Sequence, residues 1–144
     1  MRLDQVRPLQ RRVLAGIVDT ILPPAPALQP EARKRVAAAA TRFVVIEVES
    51  IPTFLRLPYL FAILGFQLLS VARYGVAFTG LPAEKQNAYV GLWTNSPIGV
   101  MRDFLKLIRG CSLLAYFDHP EVRYLLEQDR QSRHAEVRAR AVAE

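Results

Sequence analysis

The sequence is short of the side chains that bind metals or carry redox chemistry. Its 144 residues contain one cysteine, Cys111, and two histidines, His119 and His134. A lone cysteine excludes an internal disulfide framework and a cysteine-rich zinc site. The three residues together are also a poor ligand set for zinc or another transition metal. We therefore expect no metal in this chain.

Glycine-rich phosphate-binding motifs are missing as well. The seven glycines are scattered, and none belongs to a G-x-G-x-x-G or G-x-x-x-x-G-K-[ST] sequence. Flavin and nucleotide folds need such a turn, because only glycine lets the backbone approach the phosphates closely. We expect no cofactor bound by this chain itself.

Candidate catalytic groups are equally sparse. Glu47 and Glu49 are the only close carboxylate pair in the middle of the chain, and residues two apart on a helix project about 200° apart, so they cannot converge on one substrate. His119 lies between Asp118 and Pro120 at a predicted helix start, which favours a capping role over a general base. The sequence predicts no catalytic residue.

Basic residues outnumber acidic ones, and the excess is N-terminal. Nineteen Lys and Arg against thirteen Asp and Glu give a net charge of +6, and residues 1–42 hold eight basic and three acidic side chains. The densest run, Arg33-Lys34-Arg35, has only three residues, which is typical of a solvated helix face. Nucleic-acid binding is therefore disfavoured, and a basic nucleic-acid or regulatory module stays an alternative.

One long uncharged stretch runs from Leu57 to Ala72, between Arg56 and Arg73. Its sixteen residues fall short of the roughly 20 that a membrane-spanning helix needs. We expect a helix buried in the core, with a partner-covered or membrane-surface helix as alternatives. No signal peptide is visible, so we expect a cytoplasmic protein; peripheral membrane association or export together with a partner stays open.

Apolar residues recur at three and four positions nearly throughout, which predicts an all-α domain. Prolines punctuate this pattern, because proline removes a backbone donor and clashes with the preceding turn. Residues 1–130 are predicted to form the domain and residues 131–144 a polar tail. A β-branched run at residues 44–46 is also interpreted as helical. Six helices are predicted, one ending at Leu22 and the others beginning near Pro30, Pro58, Pro82, Pro97 and Pro120.

The third predicted helix is apolar nearly all round and needs cover on every side. We therefore predict that its aromatic residues and those of the fourth helix are shared with a partner, with Trp93 as the main anchor. A basic line on the fifth helix is predicted as the rim, although a solvated face is the ordinary interpretation. The predicted interface residues are Tyr59, Phe61, Phe66, Tyr89, Trp93, Arg102, Lys106 and Arg109.

Two blocks of the sequence are similar to a known family. Residues Arg7–Pro24 (RPLQRRVLAGIVDTILPP) resemble the opening of the gluconate 2-dehydrogenase subunit 3 family, in which an amphipathic helix ends in DT-[IL]-[IL]-P. Residues Phe78–Tyr116, with GLPAEKQNAYVGLW and SPIGVMRDFLKLIR, are similar to a later block of that family. A comparable helical segment precedes the flavin domain in long-chain alcohol oxidases of the glucose-methanol-choline (GMC) class.

The resemblance implies a non-catalytic accessory subunit. In that family a separate large GMC-type flavoprotein holds the FAD and the catalytic histidine and oxidises an alcohol or sugar hydroxyl. Electrons then commonly pass to a cytochrome or a quinone. The small subunit supports the folding, stability or localisation of its partner. By resemblance we expect a hetero-oligomer with FAD in the partner and no cofactor in this chain.

Overall fold

A computed structural model of the protein describes residues 3–25 and 27–143, and the segments with three-four apolar spacing form helices there. This part of the chain contains six α-helices and one short 3₁₀ turn, and no strand. The predicted all-α single domain is confirmed, and the β-branched run at residues 44–46 lies inside a helix. The elements are α1 (Leu3–Ile21), α2 (Pro30–Ser50), α3 (Thr53–Tyr74), the 3₁₀ turn (Phe78–Gly80), α4 (Ala83–Thr94), α5 (Gly99–Asp118) and α6 (Pro120–Ala143).

The aliphatic half of the core lies where α1, α2 and α5 pack against one another. Each of these helices turns a stripe of apolar residues with three-four spacing inward, as the sequence predicts. The sequence predicts such a stripe from Leu9 to Leu22 and another from Met101 to Cys111, and the residues of both lie in the core or pack against it. The side chains buried there are Val13, Leu14, Ile17 and Val18 of α1, Val36, Ala40, Val44 and Val48 of α2, and Leu105 and Ile108 of α5.

An aromatic cluster forms the other half of the core. We define it as Phe66 of α3, Phe78 of the 3₁₀ turn, Tyr89 and Trp93 of α4, and Phe104 of α5. The ring centroid of Phe66 lies 4.7 Å from those of Phe78, Tyr89 and Trp93, and 6.1 Å from that of Phe104. Edge-on and tilted rings at these separations are favourable. Phe66 therefore joins four separate chain segments.

The start of α3 differs from the prediction. In the sequence, Pro52 and Pro58 predict a short turn at Thr53–Arg56 and a helix opening at Pro58, but α3 begins at Thr53 and includes Pro58. Pro58 is the sixth residue of the helix, so its missing N–H leaves one carbonyl, that of Phe54, without its helical donor. This carbonyl belongs to the first turn at an exposed end, where water can satisfy it, so the cost is small.

The starts of α5 and α6 also correct the predicted caps. Ser96 precedes a helix that begins at Gly99, not at the next residue, and its Oγ accepts a hydrogen bond from the Ile98 N–H at 3.1 Å. At α6 the predicted acceptor was Asp118. The structure instead shows the Glu121 N–H donating to His119 Nδ1 at 3.3 Å. The capping role predicted for His119 is confirmed, because its imidazole accepts a hydrogen bond from an N–H of the first turn of α6.

The last helix leaves the core after its first turns. Val122 is buried and Leu125 is half-buried against the core, whereas the described side chains from Leu126 to Glu136 are exposed. The predicted polar tail, residues 131–144, falls on the end of this helix, except for Glu144, which lies outside the described residues.

Candidate interaction surface

The strongest predicted interface anchors lie inside the protein. Phe66, Tyr89 and Trp93 are 0%, 2% and 3% exposed and belong to the aromatic cluster. The structure therefore buries these three predicted interface residues within the chain, while the opposite side of α3 is left uncovered. Rings from three other elements, the 3₁₀ turn, α4 and α5, pack on Phe66, so the rings cover one another and no partner is needed to bury them.

Two other predicted aromatic residues of α3 lie nearer the surface. Tyr59 is half-buried, with its ring centroid 6.4 Å from that of Phe104. Phe61 is 69% exposed, so it is available to a partner. The structure therefore brings four of the five predicted aromatic residues toward the core and leaves Phe61 outside.

The predicted basic line on α5 is partly engaged within the chain. Arg102 is half-buried, and its Nη1 donates to the Ser96 carbonyl at 3.3 Å. Lys106 Nζ lies 3.8 Å from Asp103 Oδ1 in an exposed pair. Lys106 and Arg109 also line a cavity of about 470 Å³ where α1, α4 and α5 meet. The predicted role of these three cations as an interface rim stays a prediction.

Two buried hydrogen bonds fix which side of α3 faces inward. The Phe78 N–H donates to Gln67 Oε1 at 2.8 Å, and the Tyr89 hydroxyl donates to the Phe66 carbonyl at 2.7 Å. Rotating α3 about its axis would leave these buried polar groups unpaired, at about 1–3 kcal/mol each. The opposite side of α3 is therefore held outward.

The C-terminal end of α3 is fixed in the same way. Gly75 adopts a left-handed backbone with φ of 73°, and its N–H donates to the Val71 carbonyl. This conformation closes the helix and favours glycine. Ser70 Oγ then donates to the Val76 carbonyl at 3.0 Å, which anchors the following loop against α3.

The outward side of α3 is a continuous apolar surface, here named the α3 face. A large apolar side chain has an area of about 150–250 Å². With the exposed fractions given below, the six side chains of this face together expose on the order of 600 Å² of apolar surface. That is at the upper end of the largest patch on a typical monomer. The residues are Phe54 (73% exposed), Leu57 (53%), Phe61 (69%), Leu68 (68%), Leu69 (48%) and Val71 (43%).

The sequence left open whether the long apolar helix is buried in the core or presents a surface to a partner or a membrane. Of these, the sequence favoured a helix buried in the core. α3 does contribute Phe66 to the aromatic cluster at the centre of the fold, but one of its sides is exposed. Within the part of the chain that the structure describes, Leu57–Tyr74 is long and apolar enough to cross a membrane by length and composition, and 28% of that window is buried.

Outside the α3 face the described residues offer little chemistry. They hold no group of three His, Cys, Asp or Glu side chains placed to bind a metal ion. Cys111 is half-buried, and burial, together with the nearby Glu47 carboxylate, raises the pKa of its thiol. A raised pKa disfavours the thiolate, which is the reactive form. Burial likewise raises the pKa of Tyr89.

A second concave region lies between α1 and α2. It has a volume of about 970 Å³ and a floor of small residues that includes Ala37 and Ala38. Charged groups of both signs surround it, so it does not select for a charged ligand of one sign. The charged residues that line it are Arg11, Arg33, Lys34, Arg42, Asp19 and Glu49.

Most residues of the α3 face were not singled out from the sequence. The available signal was the spacing of five of them: Phe54, Leu57, Phe61, Leu68 and Val71, together with the half-buried Leu64, follow one another at alternating steps of three and four. This is the repeat of helices that pack side by side. Comparisons with models of known protein families, with curated proteins and with solved structures found no match for this chain.

Proposed function

We propose that this chain is a non-catalytic accessory subunit that binds and stabilises a larger protein through the α3 face. The observation that carries the proposal is an uncharged apolar surface on the order of 600 Å². It is held outward by two buried hydrogen bonds, one that Gln67 accepts and one that Tyr89 donates. Burying such a surface is favourable at about 25 cal/mol per Å². A protein that binds only the folded chain also stabilises it by mass action.

The partner that we propose is a GMC-type flavoprotein that oxidises an alcohol or a sugar. This part of the proposal rests on the resemblance of the two sequence blocks described above. Residues of those blocks build the scaffold behind α3: Ile17 and Val18 of α1 are fully buried, and Phe78 and Trp93 pack on Phe66. In this proposal FAD and the reaction belong to the partner, and this chain contributes stability and placement.

Co-purification tests the proposal. A tagged chain is expressed together with the flavoprotein encoded beside it, and the retained fraction is measured by flavin absorbance. We expect the wild type to retain the flavoprotein and Phe61→Arg to lose it. Leu114→Arg is the matched control, because Leu114 is 62% exposed on α5, outside the α3 face. Retention of no flavoprotein by the wild type, or equal loss in both variants, contradicts the proposal.

The same face favours a second candidate, a membrane-surface adaptor that brings the flavoprotein to a quinone or a lipophilic alcohol. α3 carries no acidic residue, and Arg73 lies at its C-terminal end. Such a helix can lie in the interface of an anionic bilayer. Flotation with anionic liposomes tests this candidate, which fails if the chain and its complex stay in the soluble fraction.

Nucleic-acid binding receives less support from the surface charges. In the densest basic run, Arg35 Nε donates to Glu121 Oε1 at 2.9 Å and Lys34 Nζ to Glu31 Oε1 at 3.0 Å. Arg33 Nη1 donates to a backbone carbonyl at 3.0 Å. Each cation of the run therefore already has an acceptor within the chain, and phosphate contacts would have to compete with it.

A further inference from the structure

We propose that, in the free chain, a second copy covers the α3 face, with the two α3 helices packed antiparallel about a two-fold axis at the level of Ile63. The inference goes beyond the function proposed above and does not depend on it. It requires only that the α3 face is open when no larger partner is bound. The larger partner and the second copy would then compete for one surface.

Five of the six residues of the α3 face, with the half-buried Leu64 between them, have the spacing of a helix-pairing seam. Phe54, Leu57, Phe61, Leu64, Leu68 and Val71 alternate at steps of three and four over eighteen residues. This period of 3.5 residues keeps a straight row of side chains facing a neighbouring helix. We therefore expect the partner that packs on this seam to be a helix.

Size complementarity selects a second copy in the antiparallel direction. With the axis at residue 63, Phe61 of one copy lies opposite Gly65 of the other, and Phe54 lies opposite Ala72. Each large ring then meets a small residue. In a parallel pair, Phe61 would face Phe61 and Gly65 would face Gly65, which crowds one layer and leaves the other empty.

Gly65 has the open space that this arrangement needs. A Cβ built at Gly65 has no neighbouring atom within 4 Å, so nothing in the chain itself occupies the surface above it. Ala72 is exposed in the same way. A neighbouring ring can approach the backbone closely at a glycine, because no side chain stands in its way.

The absence of acidic residues and the exposed area of the α3 face are both compatible with a second copy packing on it. α3 has no acidic side chain, and the seam positions are all uncharged, so two copies meet without requiring a complementary charge. Covering the α3 face on both copies buries on the order of 1,200 Å² in total, which is the lower end of stable, specific interfaces. We therefore expect a dimer that forms at moderate concentration and dissociates on dilution.

Light scattering after size exclusion tests this inference on the free, full-length chain. We expect a mass near twice 16.2 kDa for the wild type, falling about twofold for Gly65→Leu. This substitution removes a helix-interior glycine, so it should not weaken folding, but its side chain fills the space for the partner's ring. Gly110→Leu is the matched control, because Gly110 is also helical and open but lies on α5; it should remain a dimer.

Cysteine cross-linking tests the direction of packing. In a Cys111→Ala background, Leu64→Cys should form a disulfide-linked dimer, since residue 64 lies close to the axis. Phe54→Cys should not, because a rise of about 1.5 Å per residue places the two copies of residue 54 about 27 Å apart in antiparallel helices. A parallel pair would link both variants, and Leu114→Cys, outside the α3 face, should link in neither case. A monomeric wild type overturns the inference, whether that monomer binds only the flavoprotein or only lipid vesicles. A dimer that survives Gly65→Leu overturns it as well. A dimer that never retains the flavoprotein leaves the inference standing and removes the proposed function instead.

Discussion

Replacing Trp93 with alanine separates a core role from an interface role for this residue. Trp93 is 3% exposed, and its ring centroid lies 4.7 Å from that of Phe66, 5.9 Å from that of Phe104 and 6.2 Å from that of Tyr89. The substitution removes a large buried side chain and leaves a cavity that surrounding rings fill only in part. Substitutions of this kind cost about 3–5 kcal/mol.

We expect a loss near the upper half of that range, about 4 kcal/mol, because three aromatic contacts are removed together. Domains are stable by only about 5–15 kcal/mol, so the variant should retain a small part of its stability. For a chain of this size the melting temperature should fall by on the order of 10 °C.

Urea unfolding followed by far-UV circular dichroism measures this loss at a fixed protein concentration. Leu92→Ala is the control, because Leu92 is the adjacent residue of α4 and is 45% exposed; we expect it to cost about 1 kcal/mol or less. A Trp93→Ala chain as stable as Leu92→Ala, but unable to bind the flavoprotein, would refute the core assignment and restore the interface role first predicted for this residue.

Three further substitutions test the local structure. Gln67→Leu leaves the buried Phe78 N–H without its acceptor, and urea unfolding should show a loss of about 1–3 kcal/mol. Gly75→Ala places a side chain at φ of 73° and should lower the melting temperature by a few degrees, equivalent to about 1 kcal/mol. Arg35 donates a hydrogen bond to Glu121, which lowers the pKa of the Glu121 carboxyl from its ordinary value of 4.5. The stabilisation from this contact is therefore present above pH 4.5 and is lost as the pH falls through the lowered pKa. The difference in melting temperature between wild type and Glu121→Gln should shrink on acidification.

The helices and the aliphatic core were predictable because local spacing decides them. Val13 and Ile17 of α1, and Ile108 of α5, are buried as their three-four pattern indicates. Prolines were less informative. Pro58 interrupts the hydrogen bonding of α3 near an exposed end, and the helix tolerates it there, so a proline alone did not locate the helix start.

The orientation of α3 was not predictable from its own residues. A helix that is apolar nearly all round gives no signal for its inward side. The side is chosen by Gln67 with Phe78 and by Phe66 with Tyr89, which are 11 and 23 residues apart in the chain. Such pairs become visible only in the folded structure. This is why Tyr89 was expected at an interface and Leu68 was not.

The binding affinity of the α3 face for the flavoprotein is the most direct test of the proposed function. Titration calorimetry with the purified flavoprotein compares the wild type, Phe61→Arg and Leu114→Arg at one salt concentration. Because central interface residues contribute about 2 kcal/mol or more, we predict that Phe61→Arg raises Kd by at least about 30-fold, whereas Leu114→Arg leaves it within about twofold. Equal affinity for the wild type and Phe61→Arg, with both chains folded, would contradict the assignment of the α3 face as the docking surface.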